Sequence, residues 1–327
     1  MKDLKNLLTS GKNSKNIQSG KGKSFGYQIL GFGSGVAGGS VPVDVDYLVV
    51  AGGGGGGGMT SNGGAGAGAG GFRTSFPGGT KITLDGGSND ITVGAAGAGQ
   101  SVNNVFGTQG GNSIITSITS TGGGAGNSSM AFDAVMNGGS GGGAHHDQPS
   151  PIAGGTGICG QGNPGGQSQG YPGGPFYSGS GGGGASAAGV LSTPSTGGAG
   201  GAGSCNSISG SSVAYAGGGG GGITPACSAA PGNTGCATHG GGPGGRPGPV
   251  AGGNGTANTG GGGGGASPWP APTKAGGNGG SGIVLIRFPA ATAPDSLAVA
   301  PGTNTLGTNA PTGDKIATFT VTGTLTV

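Results

Sequence analysis

A chain of 327 residues has room for two or three ordinary domains, but 95 glycines and 20 prolines make up about a third of this one, only 6% of it is charged, and glutamate is absent. Strong helix formers are therefore scarce, the lack of a strict Gly-X-Y period excludes collagen, and the low charge excludes the polar, highly charged disordered class. The net charge of +3 is uneven: Lys2, Lys5, Lys12, Lys15, Lys21 and Lys23 are half of the twelve basic residues, and the near-neutral remainder has no basic groove for nucleic acid.

In chain order, residues 1–24 form a basic arm with no sustained apolar stretch of a secretory signal. Residues 25–35 alternate aromatic or apolar side chains with glycine, so Phe25, Tyr27, Ile29 and Phe32 are candidates for docking on another subunit, and 1–45 reads as an extended anchor. Tyr47-Leu48-Val49-Val50-Ala51 follows, a strand with so little alternation that both faces should be buried. Lys81–Asp85 and Ile91–Gly94, separated by Gly86-Gly87-Ser88-Asn89-Asp90, predict a hairpin, and Ser113–Ser120 predicts one or two further strands. Gly282–Phe288 is the second apolar run, and the two runs bracket the glycine-rich stretch. They are predicted to be strands of one small antiparallel sheet at its base.

Residues 121–281 show no sustained helical or strand periodicity. Glycine has no side chain to bury and loses the most backbone entropy on folding, so an ordered chain of this kind must be held by backbone hydrogen bonds. Polyglycine II meets that demand, with three residues per turn and amides pointing outward to lateral neighbours. Runs 217–222 and 260–265 are predicted to be buried rods of this type, with substituted stretches as outer rods and turns. At the C-terminus, Ala317, Phe319, Val321, Gly323, Leu325 and Val327 alternate with threonines, which predicts a strand over 316–327 in need of a covering sheet. Pairing between copies is the favoured source of that sheet, and Ser296–Val299 is a candidate partner within the chain. The predicted fold is mostly β and irregular, with almost no helix, divided into an arm (1–45), a glycine-rich body (46–288) and a C-terminal β element (289–327).

Motifs for chemistry are weak. Gly22-Lys23-Ser24 resembles the end of a phosphate loop, but Ile17 stands where its first glycine belongs. Gly138-Gly139-Ser140-Gly141-Gly142 matches a nucleophile elbow formally, without a credible helix to follow it. Cys227, Cys236 and His239 have no standard zinc-finger spacing, and Cys159 and Cys205 complete a set best read as free thiols in loops. No catalytic residues, metal or cofactor are expected. His145 and His146 read as a loop tip or a receptor contact. Tyr171, Phe176 and Tyr177, and Trp269 between prolines, are aromatics on rigid loops suited to sugar or protein surfaces, or to capping the glycine lattice.

Several of these segments together resemble a glycine-rich domain common in phage tail-fibre and virion proteins, and the outer segments, Tyr27-Gln28-Ile29-Leu30-Gly31-Phe32-Gly33 and the threonine-alternating C-terminus, resemble marine phage virion proteins. The former are Tyr47–Gly58, Gly70-Gly71-Phe72-Arg73, Ile91–Ala95, Ile118–Gly124 and Gly282–Phe288, and their resemblance covers about 46–288. It implies a virion structural protein assembled in the host cytoplasm, whose partners are other virion proteins and a host surface glycan or protein. It also implies a homo-oligomer; fibres are often trimers, although no heptads argue for that here. Neither membrane insertion nor nucleic-acid binding is expected. A capsid-decorating or head-fibre protein, and a bacterial extracellular adhesin, are the alternative readings.

Overall fold

The computed structural model describes residues 41–58, 63–101, 105–128, 132–145, 150–169, 178–193, 196–223, 235, 237–267 and 274–327. In chain order the strands are β1 (Val43–Val50), β2 (Phe72–Thr74), β3 (Ile82–Leu84), β4 (Ser88–Thr92), β5 (Ser113–Ile115), β6 (Ile118–Ser120), β7 (Ser204–Asn206), β8 (Val213–Tyr215), β9 (Ile283–Phe288), β10 (Ala298–Ala300), β11 (Thr305–Thr308), β12 (Lys315–Phe319) and β13 (Gly323–Thr326). Helical structure among the described residues is a single 3-10 turn, Ala134–Met136, so the protein is mostly β, as its composition predicts.

The two apolar runs meet. β1 and β9 pair antiparallel with Leu48 opposite Leu285 and Val50 opposite Ile283. They form the centre of a sheet ordered β11-β12-β9-β1-β2, with β3 paired to the first half of β1. Both faces of β1 are covered. Val43, Val45, Tyr47 and Val49 point into one core, and Leu48 and Val50 into another with Ile208, Tyr215 and Leu285. Each such fully buried Val or Leu is worth about 1.5–3 kcal/mol.

The base is two sheets rather than the single one predicted. The second has the order β10-β13-β4-β5-β6, and its Ile91, Ile115 and Leu325 fill the first core from the opposite side. This arrangement corrects two sequence predictions. Residues 81–94 are not a hairpin: β3 pairs with β1 and β4 with β13 and β5, so the chain crosses between sheets at Asp85–Gly87. Leu84 and Ile91 thereby enter one core from its two sides, which direct pairing of their strands would forbid.

The C-terminal stretch likewise splits. β12 pairs with β9 and β11, whereas β13 pairs with β4 and β10, all within the chain rather than between copies. Alternation alone cannot reveal a corner, and this one is held by a residue remote in sequence. The side-chain oxygen of the buried Asn304 accepts from the amides of Thr320 (3.0 Å) and Val321 (3.2 Å). Phe319 and Leu325 are covered, while Val321, at the corner, is exposed. The predicted pairing with 296–299 holds, through Val299 opposite Leu325.

From the sheets the glycine-rich chain runs out as extended rods. The Gly217–Gly222 run shows how they are held. Gly217 and Gly220 donate to the carbonyls of His239 and Gly242, Gly218 and Gly221 to Gly201 and Gly198, and Gly219 and Gly222 to Ala67 and Gly64. Partners recur every third residue and point in three directions, the pattern polyglycine II requires. The first neighbour is parallel to the run and the other two are antiparallel. Gly262 and Gly265 donate back to Gly217 and Gly220, and Gly263 to Gly54, which ties the three longest glycine runs together.

These rods approach too closely for any side chain. A Cβ built on Gly219 would run into the Gly263 carbonyl oxygen, and one on Gly262 into that of Ala67. Where an outer rod lacks a backbone neighbour, a side chain substitutes. Asn112 Oδ1 accepts from the Gly122 amide, Asn278 Oδ1 from Gly99, and Thr108 Oγ1 from Ala98.

Candidate functional site: the far end of the glycine lattice

The sheets give the lattice a near end and a far end. Rods leave directly from β1, β4, β6 and β8 and return into β2, β5, β7 and β9, so one end of the bundle is bound to the base. At the far end a layer of cross-links closes the rods. Gly57 donates to Ala65, Ala65 to Asn127, Gly64 to Ala266, Ala266 to Gly57, Gly222 to Gly64 and Gly179 to Gly222, all at 2.9–3.0 Å.

His145 belongs to this layer. Its side chain is fully buried, its Nδ1 lies 2.9 Å from the Gly63 carbonyl, and its backbone bridges to Gly179. It is therefore not part of an exposed receptor-facing tip, and its contribution is to hold Gly63 against the rod that ends at residue 145. Beside it a small apolar cluster of Met136, Ala144 and Ile152, with Phe106 packed on it, closes one flank of the far end. Ile152 and Ser168 are tied by reciprocal bonds, one of them through the serine hydroxyl. Val105, Phe132 and Val250 remain exposed.

The other candidates drawn from the sequence, His146, Tyr171, Phe176, Tyr177 and Trp269, lie outside the described residues, as do Phe25, Tyr27, Ile29 and Phe32. Their described chain neighbours are informative. Gly179 follows 171–177, and Ala266 precedes Trp269, and both belong to the far layer.

Chemistry elsewhere is sparse. Ser140 is fully buried within a rod, its carbonyl accepting from Gly124, with no strand-to-helix turn around it. Cys159 and Cys205 are exposed free thiols, Cys227 and Cys236 lie outside the described residues, and His239 Nδ1 contacts its neighbour Thr238 Oγ1 at 2.8 Å. Among the described residues no three His, Cys, Asp or Glu side chains gather as metal ligands, and no helix is long and apolar enough to cross a membrane.

Among the described residues both ion pairs lie in the base. Arg287 Nε donates to Asp314 Oδ2 at 2.8 Å, and its guanidinium stacks 4.5 Å above the Phe76 ring. Desolvation works to raise the Asp314 carboxyl. Bonds from the Ala290 amide and the Thr312 hydroxyl, together with Arg287, outweigh it and hold the group below its ordinary value. Asp46, largely buried in β1, accepts from Ser75 Oγ at 2.9 Å and faces Lys81 at 3.6 Å. No spacing rule marks these partners, because Asp314 and Ser75 stand far along the chain from the residues they serve.

Residues 39–289 match the model of a glycine-rich domain, and the chain belongs to that family. Comparison with curated proteins and with solved structures finds no match.

Proposed function

We propose that this protein is a non-enzymatic structural component of a phage particle, fibre- or adhesin-like, in which the glycine lattice is a stiff mount for host-attachment segments. The observation that carries the reading is the closed far layer. Its rods are fastened to one another by main-chain bonds and to the sheets at their other end, and it contains His145, Gly179, Gly222 and Ala266, described residues that stand one or two positions along the chain from 146–149, 170–177, 224–234 and 268–273. Backbone bonding makes this platform independent of loop sequence, the division between scaffold and variable loop that recognition proteins use. His146, Tyr171, Phe176, Tyr177 and Trp269 are the proposed contacts with a host glycan or protein, and 1–45 is the proposed attachment to other virion proteins. The ordered motifs at 47–58, 70–73, 91–95, 118–124 and 282–288 support the phage assignment.

The test uses purified particles. Mass spectrometry should find the protein in them, labelling by electron microscopy should place it on the tail, and excess soluble protein should slow adsorption to the host. Replacing Trp269 and Tyr171 with alanine should abolish that competition while leaving the fold intact. Absence from washed particles would end the virion reading. Labelling on the head with no effect on adsorption would favour capsid decoration instead.

A further inference from the structure

The two flanks of the paired sheets are finished differently. At the β2 and β6 edges the main chain is covered: the Phe72 amide donates to the Gln161 carbonyl at 2.9 Å, Asn206 Nδ2 donates to the Phe76 carbonyl at 2.8 Å, and Arg73 Nη1 reaches the Thr119 carbonyl at 3.3 Å. On the opposite flank β10 and β11 are the outermost strands of their sheets. Among the described residues no strand pairs with the outer edge of β11, and all four of its residues, Thr305-Leu306-Gly307-Thr308, are exposed. Natural edge strands are usually blunted by charge, proline or a bulge. β11 has neither charge nor proline and pairs with β12 in continuous register. Leu306, 38% exposed, projects from it, and a Cβ on Gly307 would meet nothing within 4 Å.

We propose that β11 is a docking edge for a second copy of this chain, which adds its own β11 antiparallel. A two-fold axis perpendicular to the sheet keeps each face continuous, so opposed residues must share a face. Centred on Leu306, the axis sets Leu306 against Leu306 of the second copy and Thr305 against Gly307. The exposed leucine is then covered by its own equivalent, and the small residues meet on the other face. That face holds a cavity of about 180 Å³ lined by Ser209, Thr305, Gly307, Ile316 and Thr318, none of them charged; Lys315 Nζ sits at the strand's end, donating to Thr308 Oγ1 at 3.0 Å. The neutral strand is what lets two identical edges meet, since a charge opposite itself would repel. A four-residue strand pair is smaller than a standard protein interface, so association should be weak and depend on concentration.

Sedimentation equilibrium of the full chain should show a mass rising from 29.6 kDa toward twice that value as concentration increases. Leu306→Lys should weaken association about ten-fold or more, because it places like charges opposite each other. Its circular dichroism should be unchanged, since the residue sits on an exposed edge. Register is tested separately with Cys159, Cys205, Cys227 and Cys236 replaced by serine. Leu306→Cys should then cross-link to itself under mild oxidation, whereas Thr308→Cys, offset from its equivalent by about four residues (~13 Å), should not. A chain that stays monomeric to about 200 µM, association unaffected by Leu306→Lys, or equal cross-linking at 306 and 308 would overturn the proposal.

Discussion

Asn304 shows how much can rest on one side chain. It terminates β12 by giving the Thr320 and Val321 amides an acceptor, and its Nδ2 donates back to the Ala300 carbonyl at 3.2 Å. Asn304→Ala removes the acceptor of those amides at a partly buried corner and should cost about 0.5–1.5 kcal/mol, read as a lower urea midpoint with unchanged slope. Asp314 sets a pH dependence whose sign follows from its lowered carboxyl. Relative to the unfolded chain it contributes stability that is fully present above its ordinary value of 3.8 and is lost as pH falls through the lower folded value. Melting temperatures of the wild type should therefore fall more steeply below about pH 3.8 than those of Asp314→Asn, the two converging in strong acid. Equal slopes would show that the Arg287 pair contributes nothing to acid sensitivity. Neither residue announces itself in the sequence, because each acts on a strand from a separate turn.

At the scale of the element, the rods are legible from composition and their neighbours are not. A glycine run predicts an extended, backbone-bonded rod because no other ordered structure satisfies its amides without side chains. The run does not say which rod lies beside it, since one glycine is chemically like the next. The consequence is measurable at Gly219, whose missing Cβ makes room for the Gly263 carbonyl. Gly219→Ala should cost about 1–3 kcal/mol through forced separation of rods and lost bonds. Gly302, where an added Cβ meets nothing within 4 Å, is the control: Gly302→Ala should be neutral or stabilising by about 0.4–1 kcal/mol. Equal thermal shifts for the two would show that close packing of the rods is not what holds them. Strands followed a similar division. β1 and β9 were readable as apolar runs buried on both faces, whereas β3, β4, β12 and β13 were readable as strands but not as members of different sheets.

For the whole molecule, the lattice and the base should unfold together. β1 and β9 join the first and last rods of the body, and the neighbouring strands bracket the rods between. Val49→Asp with Leu285→Asp places two carboxylates in opposite cores of the same sheet and should prevent folding of the rods as well. Amide exchange in the wild type should be slow through 52–57, 217–222 and 262–266, comparable to β1. Fast exchange there, with slow exchange in the sheets, would make the glycine runs independent linkers. The order of apolar brackets, glycine runs and threonine alternation was enough to derive a β base, a backbone-bonded body and almost no helix, because those properties depend on what each residue type can bury or donate. The two-sheet base, the burial of His145, the Asn304 corner and the common far layer were not derivable that way. They depend on which segments meet across long separations, and in a chain this rich in glycine many pairings satisfy the local chemistry equally. The choice among them falls to the few residues with side chains, packed where the sheets let them meet.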